Sequence, residues 1–248
     1  MAINRDLLLF KTKMAERAER YDDMVETITI LVQEAENITY EERNLLASAY
    51  RYAVGSRRSS LRGLSHHKAS LKKSNEAEKT QLSNYMKKYK LKIQEETQKL
   101  CQNILEMIDS VLLNKSTSPD CNVFYKKMKG DYYRYKSEVT ESNQRAHLQK
   151  LAEAAYISAL SDAKSDLLPN NAILLGVKLN YSVFLHEAKG EEEKAIELCK
   201  EALNTAIDIF DSKGKTASED AAQIMQLLRD NITLWTAKGI CVISLFSN

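Results

Sequence analysis

The 248-residue chain is poor in residues that interrupt helices, since it holds only two prolines and seven glycines. Such a scarcity of turn and breaker residues indicates an all-α protein. The chain also lacks any run near the ~18 consecutive apolar residues that a membrane-spanning helix needs. One short apolar run, Leu7–Phe10, lies near the N-terminus, and acidic residues follow it, which is not the pattern of a signal peptide. We therefore expect no membrane span.

Signatures of metal binding and catalysis are missing as well. The four cysteines form no Cys-x-x-Cys pair and have no histidine at ligand spacing, which predicts reduced, buried or partly buried thiols and no metal site. No glycine-rich phosphate loop, nucleophile elbow or zinc motif occurs, so we expect neither an enzyme nor a cofactor. The formal net charge of +2 is too small to indicate a nucleic-acid partner. We expect a cytoplasmic protein, with the nucleus as a further compartment.

The chain does contain a series of amphipathic segments separated by short breaks. Apolar periodicity and capping signals predict about nine helices, antiparallel where the connections are short. The third opens at a candidate capping box formed by Thr39 and Glu42. The expected ranges are about 3–18, 22–35, 39 to a loop within 65–79, 77–113, 119–138, 143–166, 171–188, 191–210 and 221–235.

Cations seven residues apart recur on two of these helices: Arg51 and Arg58 on the third, Lys127 and Arg134 on the fifth. Seven residues make nearly two helical turns, so each pair drifts only about 20° around the axis and shares one face. Guanidinium groups held on rigid elements suit phosphate binding. Tyr135, beside Arg134, can donate a hydrogen bond to the same oxyanion. The alternative interpretation is a solvated basic stripe, which is common on long helices.

Two further helices each carry one amide on an apolar face. Asn180 shares its face with Val183, and Asn231 shares its face with Leu227 and Leu234. An amide within an apolar face is costly unless it finds a hydrogen-bond partner. That partner is either a neighbouring side chain or the backbone of an extended peptide, which an asparagine can hold with one donor and one acceptor. The spacing leaves both interpretations open.

Long stretches of the chain resemble the 14-3-3 family. The matching segments are 18–24 (AERYDDM), 41–46 (EERNLL), 123–135 (VFYKKMKGDYYRY), 175–184 (LGVKLNYSVF) and 224–235 (IMQLLRDNITLW), in one register from about residue 5 to 236. The resemblance implies a cup of nine antiparallel helices, a dimeric adaptor that binds phosphoserine or phosphothreonine motifs of client proteins in an amphipathic groove. It also implies one helical domain over 1–236, in which helices within 3–113 dimerise and helices within 119–236 complete the groove. An atypical apolar tail follows at 237–248.

The resemblance assigns the residues of the groove. The phosphate ligands that it implies are Arg51, Arg58, Arg134 and Tyr135. The positions that it implies along the peptide groove are Lys127, Leu179, Asn180, Val183, Glu187, Ile224, Leu227, Asn231, Leu234 and Trp235. The chain departs from the family at several places, among them four positions of the helices where Arg51, Tyr52, Leu61 and Gln223 replace its lysine, asparagine, tryptophan and leucine.

The same resemblance implies a homodimer, or a heterodimer with other family members. Its inter-subunit ion pairs would join Arg20 with Glu96 and Asp23 with Lys92. Its apolar contacts would come from Met14, Ala18, Leu64 and Tyr89. Ser60, in the sequence RRSS, matches a dimer-interface serine that basophilic kinases modify in some members.

The eighth helix leaves a second class of function open. Residues 194–209 (KAIELCKEALNTAIDI) resemble one repeat of the tetratricopeptide kind. A scaffold of such repeats would bind its partners independently of phosphate, but no second copy occurs at a ~34-residue period.

The apolar tail leads to a separate expectation. We expect Ile240–Phe246 to contact apolar surface, because exposure forfeits roughly 1.5–3 kcal/mol per large apolar side chain.

Overall fold

Helices make up the regular structure of the part of the chain that the computed structural model describes, residues 4–67, 76–213 and 217–237. Within those ranges there are nine α-helices, two π-helical turns and no β-strand, which confirms the all-α prediction. The helices are α1 (Arg5–Arg17), α2 (Tyr21–Glu34), α3 (Tyr40–His67), α4 (Glu76–Met107), α5 (Pro119–Glu138), α6 (Ser142–Asp166), α7 (Ala172–Phe184), α8 (Glu192–Lys213) and α9 (Glu219–Thr236). None of these described helices has the length and apolarity that a bilayer crossing requires.

Two of the sequence predictions fall outside these ranges. The loop expected within 65–79 falls largely on 68–75, and the apolar tail falls on 238–248. Both therefore stay predictions, as does the single domain over 1–236.

The described helices belong to two compact units. The first unit holds α1 to α4, through Met107, together with Glu138–Glu141. In it α2 contacts both α1 and α3, and α3 contacts α4. Its core includes Met24 and Ile28 of α2 and Tyr50 of α3, all essentially excluded from solvent.

The second unit holds Ile108–Ser137 and the helices from Ser142 onward, and it is organised around α7. One side of α7, which includes Val177 and Phe184, packs with Val123 of α5 and Tyr156 of α6. The other side packs against α8 and α9 through Leu175. Because α7 buries two faces, the side chains between those faces are carried on a fixed element.

The predicted capping box at the start of α3 is present. The Glu42 carboxylate accepts the backbone N–H of Thr39 at 2.8 Å, and Thr39 Oγ1 accepts the N–H of Glu42 at 3.2 Å. From α1, Arg5 donates Nε and Nη2 to the same carboxylate, both at 2.6 Å. Burial acts to raise the pKa of Glu42, but the hydrogen bonds from Arg5 and Thr39 outweigh it and leave this pKa lowered. The carboxylate thus caps α3 and ties α1 to it.

Two helices continue into π-helical turns. The first π turn, Ile108–Leu112, follows α4, and the second π turn, Leu185–Lys189, follows α7. Gly190 ends the second with φ +70°, a left-handed conformation that strains residues with a Cβ, and Glu191 N–H donates to the Leu185 carbonyl at 2.9 Å. The expected end at about 113 includes the first turn, and the expected end at about 188 falls one residue short of the end of the second. Their π geometry was not predicted, because apolar spacing does not reveal one extra residue per turn.

The described cysteines are buried or half-buried, as the sequence predicted. Cys101, Cys121 and Cys199 form no disulfide within the described ranges and are buried or half-buried, while Cys241 lies outside them. Cys199 Sγ donates to Ser182 Oγ at 3.1 Å. Burial raises the pKa of the Cys199 thiol to about 11, so it stays protonated and unreactive at neutral pH.

Candidate functional site

A buried carboxylate organises the polar residues of the second unit. Asp131 of α5 is 5% exposed and accepts hydrogen bonds from three side chains. Tyr156 donates its hydroxyl to Oδ1 at 2.6 Å, and Lys127 donates Nζ to Oδ2 at 3.0 Å. Asn180 of α7 places its Nδ2 at 2.8 and 2.9 Å from the two oxygens. We call these four residues the Asp131 network, in which three donors compensate the cost of burying a carboxylate.

Gly130 makes this network possible. The Tyr156 ring is fully buried and lies so close to α5 that a Cβ at position 130 would be 2.7 Å from its carbons. Burial raises the pKa of the Tyr156 hydroxyl well above its ordinary value, and the Asp131 charge raises it further. The hydroxyl therefore keeps its proton and remains a donor to Asp131.

Arg134 and Tyr135, two predicted phosphate ligands, lie against each other near the end of α5. The Arg134 side chain is 4% exposed, and its Cζ is 4.5 Å from the centroid of the Tyr135 ring. Tyr132 packs edge-on against Tyr135 with the ring centroids 5.6 Å apart. Glu187, on the second π turn, places Oε2 3.9 Å from Arg134 Nη1, which is an ion pair too long to be a hydrogen bond.

The Asn180 amide has a side-chain partner in this structure. Of the two interpretations left open by the spacing, the neighbouring side chain is correct for its NH₂ group, which donates to Asp131. The carbonyl Oδ1 lies at the opposite end of the same planar amide. The interpretation of Asn180 as a peptide-binding amide therefore depends on whether Oδ1 accepts a hydrogen bond from the peptide.

Apolar residues predicted for the groove cluster on α7 and α9. Leu179, Ile224, Leu227 and Trp235 all belong to one core cluster, in which Leu179 is buried and the others are half-buried. Val183, Asn231 and Leu234 are half-buried as well, and Gln223 is exposed. The Trp235 ring stacks on His186 of the second π turn, with centroids 4.4 Å apart and planes 10° apart. Half-exposed apolar side chains with a few convergent polar groups are typical of ligand-binding surfaces.

The first unit holds the other two predicted phosphate ligands. Arg58 is 7% exposed and donates Nε and Nη2 to the Glu138 carboxylate at 2.8 and 3.1 Å. Arg51 is exposed, and its Cζ lies 4.7 Å from the centroid of the Tyr52 ring. Tyr52 stacks in turn on Tyr21 of α2, with the centroids 4.9 Å apart. The seven-residue spacing therefore does not give the two arginines equal environments.

The apolar residues predicted for the dimer interface lie at the surface of the first unit. Met14 and Tyr89 are 45% and 53% exposed, Ala18 is exposed and Leu64 is half-buried. Ser60 is exposed on α3 and donates its hydroxyl to the Ser56 carbonyl at 3.0 Å.

Three of the four charged residues predicted for that interface, Arg20, Asp23 and Glu96, have partners within the chain. Arg20 donates to both carboxylate oxygens of Asp23, with Nη2 at 3.2 Å from Oδ1, and this pairing raises the pKa of Arg20. Glu96 accepts from Arg57 Nε at 3.0 Å, and Lys92 is exposed. The inter-subunit pairs stay a prediction.

Sequence reasoning missed three residues that hold the site residues in place: Asp131, Tyr156 and Glu138. The spacing of Asp131, four residues after Lys127 on α5, offered a signal for one ion pair. The contact of Tyr156 with Asp131 joins positions 25 residues apart, and that of Arg58 with Glu138 joins positions 80 apart. No local pattern reveals contacts of that kind.

Comparison with known proteins identifies the family. The family model described as 14-3-3 protein matches residues 11–236. The 14-3-3 protein beta/alpha of Homo sapiens is 40% identical over 239 residues, which cover 96% of this chain and 95% of that protein. In Gallus gallus the corresponding protein is 40% identical over 237 residues, with 96% and 95% covered. The 14-3-3 protein zeta of Bombyx mori is 38% identical over 237 residues, with 96% and 94% covered. The chain therefore belongs to the 14-3-3 family, as its motifs predicted.

Proposed function

We propose that this chain binds the phosphate of client phosphoserine or phosphothreonine through Arg134 and Tyr135, and that Arg58 also contributes to binding. The chain is an adaptor of the 14-3-3 family, whose members bind phosphoserine and phosphothreonine and are not enzymes. The predictions of an adaptor and of no catalytic activity are thereby confirmed, and the phosphate-independent repeat scaffold is not supported.

The observation that carries the proposal is the arrangement of Arg134 and Tyr135. A guanidinium buried on α5 and held over a tyrosine ring is fixed in place, so little side-chain entropy is lost when it binds an anion. Its hydrogen bonds to phosphate would be charge-assisted and strengthened by burial. Glu187 Oε2 lies 3.9 Å from Arg134 Nη1, too far for a hydrogen bond. A phosphate dianion offers three acceptor oxygens for charge-assisted hydrogen bonds to this guanidinium.

The flanking peptide would lie against the surface that α5, α7 and α9 present. Lys127 and Asn180 supply polar groups, both already fixed by Asp131. Asn231 and the half-buried side chains of Val183 and Leu227 supply an amide and apolar contacts. We propose that the remaining groove residues predicted by the resemblance also contact the bound peptide. Gln223 places a polar, exposed side chain on α9 where the family has leucine.

Phosphate dependence is the test of this proposal. Fluorescence polarisation with the matched peptides RSxpSxP and RSxSxP should show binding of the phosphorylated peptide alone. Arg134→Glu removes charge-assisted hydrogen bonds worth roughly 1.5–3 kcal/mol and adds repulsion, so we expect at least about a tenfold loss of affinity. Arg58→Glu should act in the same direction.

A matched control is Arg229→Glu, the same charge change on the exposed side of α9. It should leave the affinity unchanged. Equal binding of both wild-type peptides, or wild-type affinity in a folded Arg134→Glu variant, would contradict the proposal.

Proteins of the family form dimers, and we extend this to the present chain through α1 to α4. The exposed Met14 and Tyr89 support that surface, and a kinase acting on the exposed Ser60 would add charge to it. Mass spectrometry of the purified assembly would decide whether the partner is an identical chain or another family member.

Family members are generally cytosolic. We propose cytoplasmic residence with access to the nucleus, which imaging of a fluorescent fusion would check.

A further inference from the structure

The Asp131 network gives the Asn180 amide a fixed polarity. An asparagine amide has a donor end and an acceptor end of nearly the same shape, so sterics alone do not decide which end points where. An ionised carboxylate only accepts, so the end that faces Asp131 is the NH₂ group. Its nitrogen lies 2.8 and 2.9 Å from the two carboxylate oxygens. The Oδ1 atom is thereby directed away from Asp131.

We propose that Asp131 is a positioning residue of the peptide site, which holds the Asn180 NH₂ group so that Asn180 Oδ1 accepts one backbone N–H of the bound phosphopeptide. This inference rests on the proposed function, in which Asn180 contacts the peptide backbone. It adds a rule of specificity. The client residue whose N–H meets Oδ1 cannot be proline, because proline has no backbone N–H.

The carboxylate is rigid enough for this role. Tyr156 and Lys127 donate to its two oxygens from two other directions, at 2.6 and 3.0 Å. Tyr156 is fully buried, and Gly130 lets its ring lie against α5. Asp131 and Asn180 are on α5 and α7 of one compact unit. An amide at position 131 could offer either oxygen or NH₂ to Asn180, so Asp131→Asn would remove the preference without changing the shape.

The test uses phosphopeptides in which each amide flanking the phosphoserine is replaced in turn by an ester, which deletes one N–H. Wild-type protein should bind one of these peptides about fivefold more weakly than the all-amide peptide, the loss expected for one neutral hydrogen bond. In Asp131→Asn that discrimination between ester and amide should fall to less than about twofold. A change that merely loosened the fold would weaken both peptides equally and leave their ratio unchanged.

The matched control is Asp162→Asn, which removes another carboxylate that pairs with a lysine of α5, here Lys126. It should preserve the wild-type ratio. Equal binding of ester and amide peptides to wild type at every position would overturn the proposal, and so would an unchanged ratio in Asp131→Asn. Both results are distinct from failure of the proposed function, which would appear as binding that ignores the phosphate.

A second measurement needs no substitution at Asp131. The side-chain NH₂ signals of Asn180, assigned by their loss in Asn180→Ala, should be protected from hydrogen exchange in the wild-type chain without peptide. Addition of the phosphopeptide should leave that protection in place. Exchange as fast as that of an exposed asparagine such as Asn204 would overturn the proposal.

Discussion

At the scale of single residues, the Asp131 network depends on position 130 being glycine. Gly130 has no Cβ, and a Cβ there would lie 2.7 Å from the Tyr156 ring. Contacts that short force a buried ring to move, since protein interiors are close-packed. The hydroxyl of Tyr156 would then lose its 2.6 Å contact with Asp131.

Gly130→Ala should therefore destabilise the protein, although alanine is the better helix former. Overpacking of this kind costs about 1–3 kcal/mol, which exceeds the ~1 kcal/mol that alanine contributes in a helix. Urea unfolding measures the difference. The control is Gly63→Ala on α3, where a Cβ would have no neighbour within 4 Å and where we expect a gain of stability. A gain at position 130 equal to that at 63 would show that the Tyr156 ring adapts at no cost.

Sequence reasoning at this scale found the residues of the site but not their supports. Lys127, Arg134 and Asn180 could be predicted because charge and amide spacing along one helix is visible in the chain. Asp131 could not, because its partners come from three helices and its role depends on burial. The environment of Arg51 could not either, since its contact with Tyr52 and the stack of Tyr52 on Tyr21 depend on how α2 packs on α3.

At the scale of elements, the start of α3 shows a local signal completed by a distant residue. The Thr39–Glu42 capping box spans four positions, and its residue types predicted it. The donation by Arg5 to the same carboxylate joins positions 37 residues apart and had no such signal. The π turns after α4 and α7 were missed for a different reason, because a helix with one looser turn keeps the same composition.

Glu42→Gln should lower the free energy of unfolding at pH 7 by roughly 1.5–3 kcal/mol, the value of hydrogen bonds to a charged group. Since the folded pKa of Glu42 is lowered, its contribution is present above the unfolded value of ~4.3 and is lost as pH falls through the folded pKa. Urea unfolding at pH 7 and pH 3 should show the difference from wild type shrinking at the lower pH.

The neighbouring Glu41→Gln is the matched control for that experiment. Glu41 is more than half exposed and pairs with Lys13 at 2.6 Å, an ion pair of a class worth under ~1 kcal/mol. A Glu41→Gln effect as large as that of Glu42→Gln would show that the cost is one of surface charge and not of the cap.

At the scale of the whole molecule, the proposal of a dimer rests on family membership, because a single chain cannot show contacts with a second one. Half-exposed Met14 and Tyr89 are compatible with an interface, but Asp23 and Glu96 already pair within the chain. Sequence resemblance predicted the fold class and the family correctly. The predicted dimer contacts need a second chain to be observed, so they stay a prediction. An exposed ion pair within one chain could be exchanged for one between two chains at little cost, because each such pair is worth under about 1 kcal/mol.

Wild-type protein should sediment near twice the 28.2 kDa chain mass at micromolar concentration. The double variant Asp23→Lys/Glu96→Lys should shift towards the monomer, because it would place like charges opposite Lys92 and Arg20 of the other copy. Its control, Glu26→Lys/Glu95→Lys, makes the same charge change at exposed positions of α2 and α4. Monomeric wild type would remove the dimer proposal, and equal dissociation of both variants would assign the effect to net charge.

The second π turn also bears on where the chain can change its length. A π turn holds one residue more than an α turn, so deleting one residue between Leu185 and Lys189 leaves an ordinary α turn. The side chains before and after the deleted residue would keep their directions around the helix axis. The same deletion inside α7 would rotate all later side chains by about 100° and move Asn180 or Val183 to another face. A one-residue deletion is therefore expected to be tolerated in the second π turn and not in the middle of α7, although the two segments form one continuous helix.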